Sequence, residues 1–273
     1  MGDACRAGCQ DASEPKGATD IEHVLVTGGT GTLGREVVDN LLVGGATVRV
    51  LSRRPQLSGS PEVEWTIGDL RKGEGIDEAL QGIDTVIHCA SRFSDATSAR
   101  HLLRGATNAE RPFIVYISIV GVDRVPLRYY RSKLEVERLI ERSELPWTTL
   151  RSTQFHNLIA GACRTLARSP VMFLPAQTSF QPIDVKEVAT RLVELASAAP
   201  AERVPDMGGP EILGTGELAA SYLDAAGLRR PVVPVRLPGK AFAGFREGGH
   251  LAPEHAVGTV TFEEFLAERF ATR

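Results

Sequence analysis

Short apolar runs rich in β-branched residues recur along the first half of the chain, separated by stretches in which apolar positions recur with helical spacing. Strands are predicted at 24–27, 47–51, 63–67, 85–90, 113–118 and 147–150, with helical or irregular segments at about 34–43, 75–81, 97–108 and 129–143. Strand and helix in alternation specify β-α-β units, hence a parallel sheet covered by helices on both faces. Right-handed crossovers then place any ligand at the carboxyl ends of the strands. Beyond residue 150 the pattern loosens, with one more strand expected near Val204 to Met207. Asp184 with Glu187, Thr215 opening 216–226, and Thr261 with Glu264 signal helix starts, and Gly227 a stop. Residues 228–258 hold several Pro and Gly with little periodicity and are expected to be irregular, part of them walling a cleft.

The chain has 273 residues, of which 42% are hydrophobic, enough for a substantial core. Residues 1–20 are polar and lack the apolar centre of a signal peptide, and are expected to form a disordered tail. Residues 21–273 are expected to form one domain, with a ligand-binding core over 21–150 and a mixed, substrate-binding part over 151–273. The formal net charge of −3 gives no basic field for nucleic acid or a membrane surface. No apolar run approaches the roughly 18 residues a membrane helix needs, so a cytoplasmic location is expected. The four cysteines, Cys5, Cys9, Cys89 and Cys163, suggest no disulfide framework, and no histidine pattern suggests a metal. Oligomeric state is not legible.

The chemistry begins at the first strand. Val24 to Thr27 runs into Gly28-Gly29-Thr30-Gly31-Thr32-Leu33-Gly34, then into a helix with Val37, Val38, Leu41 and Leu42 on one face. A strand, a glycine turn and a helix in this order form a dinucleotide fingerprint, and they make the expected sheet Rossmann-type. One glycine turns the chain tightly, one admits backbone N–H groups to a diphosphate, and one brings helix and strand together. The helix N-terminus faces the anion with its positive end. A P-loop is excluded because Arg35-Glu36 stands where Lys-Ser/Thr is required. After the second strand, an NAD site wants a carboxylate for the ribose hydroxyls. Ser52-Arg53-Arg54 stands there instead, which favours the 2′-phosphate of NADP(H) over NAD(H); the alternative is a solvated basic turn.

The fifth strand ends in Ser118, and Tyr129 and Lys133 follow one turn apart on a helix, with Val136 and Ile140 continuing the same face. Both polar heads are expected to point over the sheet edge, while Tyr130 is expected to pack. Tyrosine, with an ordinary pKa of about 10, needs a neighbouring ammonium to exchange protons near neutrality. Lys133 would supply it, Ser118 would hold a substrate oxygen, and Tyr129 would protonate it as hydride arrives.

With these motifs the chain resembles the short-chain dehydrogenase/reductase superfamily, in its atypical, NmrA-like NAD(P)H-binding branch. The resemblance runs from about residue 23 onward. It rests on the glycine turn, Gly68-Asp69-Leu70, Tyr116-Ile117-Ser118-Ile119-Val120-Gly121, Tyr130-Arg131-Ser132-Lys133-Leu134-Glu135, Leu150 to Phe155, Gln181 to Val185 and Gly208 to Glu211. It implies that Asp69 and Leu70 touch the adenine and that Cys89, Ala90 and Ser91 lie along the cofactor. Ser152, Thr153 and Phe155 would border nicotinamide and substrate, and Phe180 and Gln181 would line the substrate pocket. It implies an NADPH-dependent reductase of a small carbonyl, quinone or similar conjugated acceptor. Relatives that lack the tyrosine and sense the NADP redox state through a protein partner imply the alternative, a non-catalytic regulator. Extended relatives that hold the cofactor for isomerisation supply a third reading. Ser152-Thr153 departs from the branch, where Pro-Gly follows Leu-Arg. The Arg- and Ala-rich composition suggests a bacterial source.

Overall fold

The computed structural model describes residues 22–54, 61–90 and 95–271. The expected N-terminal tail and Ser91 lie outside these residues. The elements are, in order, β1 (His23–Thr27), α1 (Thr32–Val43), β2 (Thr47–Ser52), β3 (Val63–Ile67), α2 (Ile76–Leu80) and β4 (Thr85–His88). Next come α3 (Asp95–Asn108), β5 (Phe113–Ile119), α4 (Arg128–Glu141), β6 (Trp147–Ser152) and α5 (His156–Leu166). The remainder holds β7 (Met172–Pro175), β8 (Ser179–Phe180), α6 (Val185–Ala196), β9 (Glu202–Arg203), β10 (Leu213–Gly214) and α7 (Thr215–Ala225). β11 (Val232–Val235), α8 (Lys240–Arg246) and α9 (Phe262–Ala271) complete it.

Seven strands pair in the order β3-β2-β1-β4-β5-β6-β9, all parallel, in a Rossmann-like sheet. Strand order reverses between β1 and β4, so the carboxyl ends of these two strands splay into a crevice. One face of the sheet packs against α1 and α6 through Val37, Leu41, Val188 and Leu192. The other carries α2, α3 and α4 through Leu80, Leu102, Val136 and Ile140. Burial on both faces explains why β1 and β4 read as unbroken apolar runs rather than as alternation. A separate cluster joins α5, α7 and α9 around Met172, Leu218, Tyr222 and Phe262.

Several local expectations change. β4 stops at His88, two residues short of the predicted end. The strand expected at 204–207 is displaced to β9, and the chain beyond it still follows β6, with Val204 N donating to Thr149 O and Met207 N to Arg151 O. Pro205 has no N–H to donate, which interrupts the ladder between them. Asp184 caps α6 by accepting from Lys186 N, but Glu187 turns away to hold Thr259. α7 is capped at Gly214, whose N–H donates to Glu217, so Thr215 is the first helical residue. Thr261 and Glu264 cap α9 reciprocally. Within 228–258, β11 pairs in parallel with β7, and α8 follows. Pro234 is tolerated in β11 because that pair forms a two-stranded sheet of its own, with no ladder on the strand's other side among the described residues.

Candidate functional site

The crevice between β1 and β4 is walled by glycine. Gly28 has φ +75°, and a Cβ there would stand 2.7 Å from Ala90 N. A Cβ at Gly34 would stand 2.2 Å from the Gly28 carbonyl oxygen. Gly28 O accepts from Gly31 N at 2.9 Å, closing the turn. α1 starts after Gly31 with no side-chain cap and no acidic residue in its first turn. Thr30, Gly31 and Thr32 are exposed, while Leu33 and Gly34 are buried against the sheet. Uncapped amides at the open end of a buried helix are what a diphosphate requires, so these residues fit the nucleotide.

Ser52 ends β2 and Arg53 and Arg54 follow it, with both arginines exposed. Ser52 Oγ donates to Arg54 O at 2.9 Å and fixes the bend. Asp69 accepts from Arg71 N through Oδ1, which shapes its own turn. His101 Nδ1 donates to the Leu70 carbonyl, anchoring that segment to α3. Cys89 N donates to Thr27 O, which sets Cys89 and Ala90 beside Gly28. Burial pushes the Cys89 thiol up to about 12 against the opposing charge of Lys133, so it is no nucleophile at neutral pH.

β5 and α4 bring the chemical groups together. Ser118 is buried at the end of β5, and its Oγ has no hydrogen-bond partner among the described residues. Lys133 is 2% exposed. Its Nζ donates to Ile117 O at 3.0 Å and stands 4.6 Å from the centroid of the Tyr116 ring. The buried stripe of α4 is Tyr130, Lys133, Val136, Glu137 and Ile140, so Tyr130 rather than Tyr129 takes the deep position one turn before Lys133. Tyr129 is half-buried in the first turn, its ring 6.4 Å from that of Tyr130. Tyr130 packs as expected, against Val122 and Val125, and its hydroxyl accepts from Gln154 Nε2 at 3.2 Å. Burial raises the Tyr130 phenol to about 12, with the Gln154 bond opposing, which leaves it a weak proton donor.

From β6 onward, roles divide. Ser152 is buried, and Thr153 Oγ1 accepts from Gly209 N at 3.3 Å. Phe155 caps α5 half-buried and packs against the core beneath the sheet. Phe180 is half-buried, 5.1 Å from the His250 ring and 6.1 Å from that of Phe245. Gln181 is fully buried with its amide spent on backbone: Nε2 donates to Gly209 O and Ala252 O, and Oε1 accepts from Ala252 N. The structure thus joins Ser118 and Lys133 at one strand edge and sets Gln181 apart as a tie between loops.

Three buried groups escaped the sequence reading. Arg151 binds Glu137 with both forks, Nε–Oε1 at 2.9 Å and Nη2–Oε2 at 2.6 Å, and Asp123 through Nη1 at 2.9 Å. Burial alone would raise the Asp123 carboxyl, but the Arg151 hydrogen bond and charge together hold it below the usual range. His88 shares a 2.6 Å hydrogen bond with Thr27 Oγ1 and stacks on Tyr116, with centroids 5.4 Å apart. Burial first, then Lys133, lowers its pKa to about 3, which keeps it neutral. His250 donates from Nε2 to Ser179 O, and burial lowers its pKa to about 4. A histidine closing an apolar strand was the available signal for His88. Nothing in spacing announces the other two.

This site, on a parallel sheet with a glycine-walled switch point, defines a dinucleotide-binding protein. The chain belongs to the NAD(P)H-binding family, which it matches over residues 28–197. It is 28% identical over 206 residues to the (4-alkanoyl-5-oxo-2,5-dihydrofuran-3-yl)methyl phosphate reductase of Streptomyces griseus, covering 72% of this chain and 71% of that protein. It is 27% identical over 217 residues to the NAD(P)H azoreductase of Xenophilus azovorans, covering 77% and 75%. Among such relatives the matched share of their own length runs from 22% to 75%. An NADPH-dependent quinone oxidoreductase of Escherichia coli, solved with NADPH, superposes with TM-score 0.78 over 90% of this chain and 99% of that one, at 18% identity. That likeness establishes the shared fold. No described helix is long and apolar enough to cross a membrane.

Proposed function

We propose that the protein is an NADPH-dependent oxidoreductase of the NmrA-like type, reducing a small carbonyl, quinone or similar conjugated acceptor. One observation carries this reading: Ser118 Oγ, a buried hydroxyl with no hydrogen-bond partner among the described residues, lies near the end of the strand whose Ile117 carbonyl holds the Lys133 ammonium, two strands along from the glycine-walled turn. A buried donor without a partner costs about 1–3 kcal/mol, which an arriving substrate oxygen offsets. Arg53 and Arg54 support a 2′-phosphate, and the half-buried rings of Phe180 and Tyr129 support a flat acceptor.

When bound, the dihydronicotinamide supplies the hydride. Gly28, Thr30, Gly31, Thr32 and Gly34 would hold its diphosphate by backbone amides. Lys133 would hold a ribose hydroxyl and favour the Tyr129 phenolate. Ser118 Oγ would donate to the substrate oxygen, and Tyr129 would give that oxygen its proton and recover one from water. The test follows NADPH absorbance against quinones, azo dyes and aryl ketones. Turnover that falls about a hundredfold in Tyr129→Phe and Lys133→Met is the expected result. Tight NADPH binding with no turnover on any acceptor would sink the reductase and leave a redox-sensing binding module. Undiminished turnover in Tyr129→Phe would overturn the proton donor.

A further inference from the structure

Lys133 sits where a cation is expensive to hold, and its surroundings show how the fold manages it. The ammonium is removed from water and donates to the Ile117 carbonyl. A buried ammonium is disfavoured unless its charge meets compensating density. Tyr116, fully buried at the middle of β5, offers the face of its ring at 4.6 Å, well within the range at which an aromatic quadrupole attracts a cation. That ring is itself braced: His88 stacks on it at 5.4 Å, with planes 23° apart. His88 in turn is tied to Thr27, the last residue before the glycine turn, by a 2.6 Å hydrogen bond. A continuous buried path therefore runs from the turn to Lys133 through Thr27, His88 and Tyr116, across three adjacent strands.

His88 at the end of β4 and Cys89 just beyond it are both neutral at neutral pH, and a charged imidazole at 88 would repel the ammonium. On α4, Glu137 is committed to Arg151 of β6, and Glu135 to Arg100 of α3 on the exposed side. Tyr129 lies one turn before Lys133 in the helix's first turn.

We propose that Tyr116 is a positioning residue, whose ring, braced by His88 and Thr27, holds the Lys133 ammonium at the carboxyl rim of the sheet for the cofactor's ribose. This rests on the role given to Lys133 above, and the experiment separates the two. Leucine at 116 would open a cavity, so the test keeps the shape. Tyr116→Phe sets the reference, and progressively fluorinated phenylalanines at 116 then drain the ring's negative face at nearly constant volume. The NADPH dissociation constant is measured for each by fluorescence, in the parent and in Lys133→Met.

The expected result is a stepwise weakening with fluorination, roughly tenfold in total, that vanishes in Lys133→Met. No trend with fluorination, or the same trend without the lysine, overturns the proposal. If Lys133→Met itself leaves NADPH affinity and turnover unchanged, the role of Lys133 falls and this proposal with it. If Lys133→Met weakens binding while the fluorinated series is flat, the role of Lys133 stands and only Tyr116 loses its part.

Discussion

Replacing Arg151 with methionine removes a guanidinium that makes three charge-assisted hydrogen bonds, two to Glu137 and one to Asp123. The two carboxylates respond differently. The Glu137 side chain is only 4% exposed, so it is left as a charge in a low-dielectric site with nothing opposite it. Asp123 is 44% exposed and regains water. The cost therefore comes almost wholly from the stranded Glu137, and breaking one side of such a pair costs about 3–5 kcal/mol. For a chain of this size that lowers Tm by roughly 6–20 °C. The double variant Arg151→Met/Glu137→Leu removes both charges and refills the space with apolar atoms. It is expected to recover most of the loss, since apolar replacements of buried pairs are often neutral. Urea unfolding and calorimetry of the single and double variants at pH 7 measure both. If the double variant is as unstable as Arg151→Met, the penalty is not a stranded charge and the electrostatic reasoning is refuted.

Gly34→Ala drives a methyl to 2.2 Å from the Gly28 carbonyl oxygen, so the turn must shift; NADPH affinity should fall tenfold or more with a stability loss of about 1–3 kcal/mol, and unchanged affinity would remove the diphosphate from this turn. His88 and His250 have folded pKa values of about 3 and 4, below their unfolded value near 6.5. Both states are neutral above that value; as pH falls, the unfolded chain takes up protons first, so stability is lost progressively from about pH 6.5 towards pH 4. The slope approaches about 1.4 kcal/mol per pH unit for each histidine, and urea midpoints that stay flat between pH 7 and pH 4.5 would contradict it. Arg53→Glu/Arg54→Glu should lower the ratio of NADPH to NADH affinity at least about tenfold in paired titrations; an unmoved ratio places 2′-phosphate recognition elsewhere.

The sheet was legible because each of its first six strands is a short apolar run bounded by turn residues, a pattern that depends on neighbours in sequence. The glycine turn was legible for the same reason. β11 was not, because Pro231, Pro234 and Pro238 hide a strand that survives only by pairing with β7 alone. The phase of α4 was legible in part: Tyr130 packs as expected and Lys133, Val136 and Ile140 share the buried face, while Tyr129 is only half-buried. One residue is 100° of rotation, and the choice between Tyr129 and Tyr130 is made by where the helix starts, at Arg128, and by Val122 and Val125 packing on Tyr130. Gln181 was expected to line the substrate pocket; its amide is bonded instead to backbone at Gly209 and Ala252, 28 and 71 residues away. Tertiary hydrogen bonds of that range leave no periodic trace. The same holds for Arg151 with Glu137 and for Thr27 with His88.

Other long-range ties gather at the connection after β5 and join it to the C-terminal part of the chain. The connection from Ser118 to Tyr129 passes through Gly121, whose φ is +84° and whose Cβ, if present, would stand 2.1 Å from Gly249 O. Arg124 Nη2 donates to Leu251 O from the same connection, and Asp123 holds Arg151 on β6. Beyond it, Tyr130 meets Phe245 edge-on at 6.1 Å, and Phe245 meets His250 at 4.7 Å. The segment that sets Tyr129 relative to Ser118 is therefore wedged between the parallel sheet and the 244–251 region. Backbone contact this close cannot slide without breaking, so α8 and the loop after it fix the spacing of the proposed hydroxyl pair. Under the proposed function, acceptor specificity and proton-donor geometry are therefore set by one packed unit, joined to the diphosphate turn through Tyr116, His88 and Thr27.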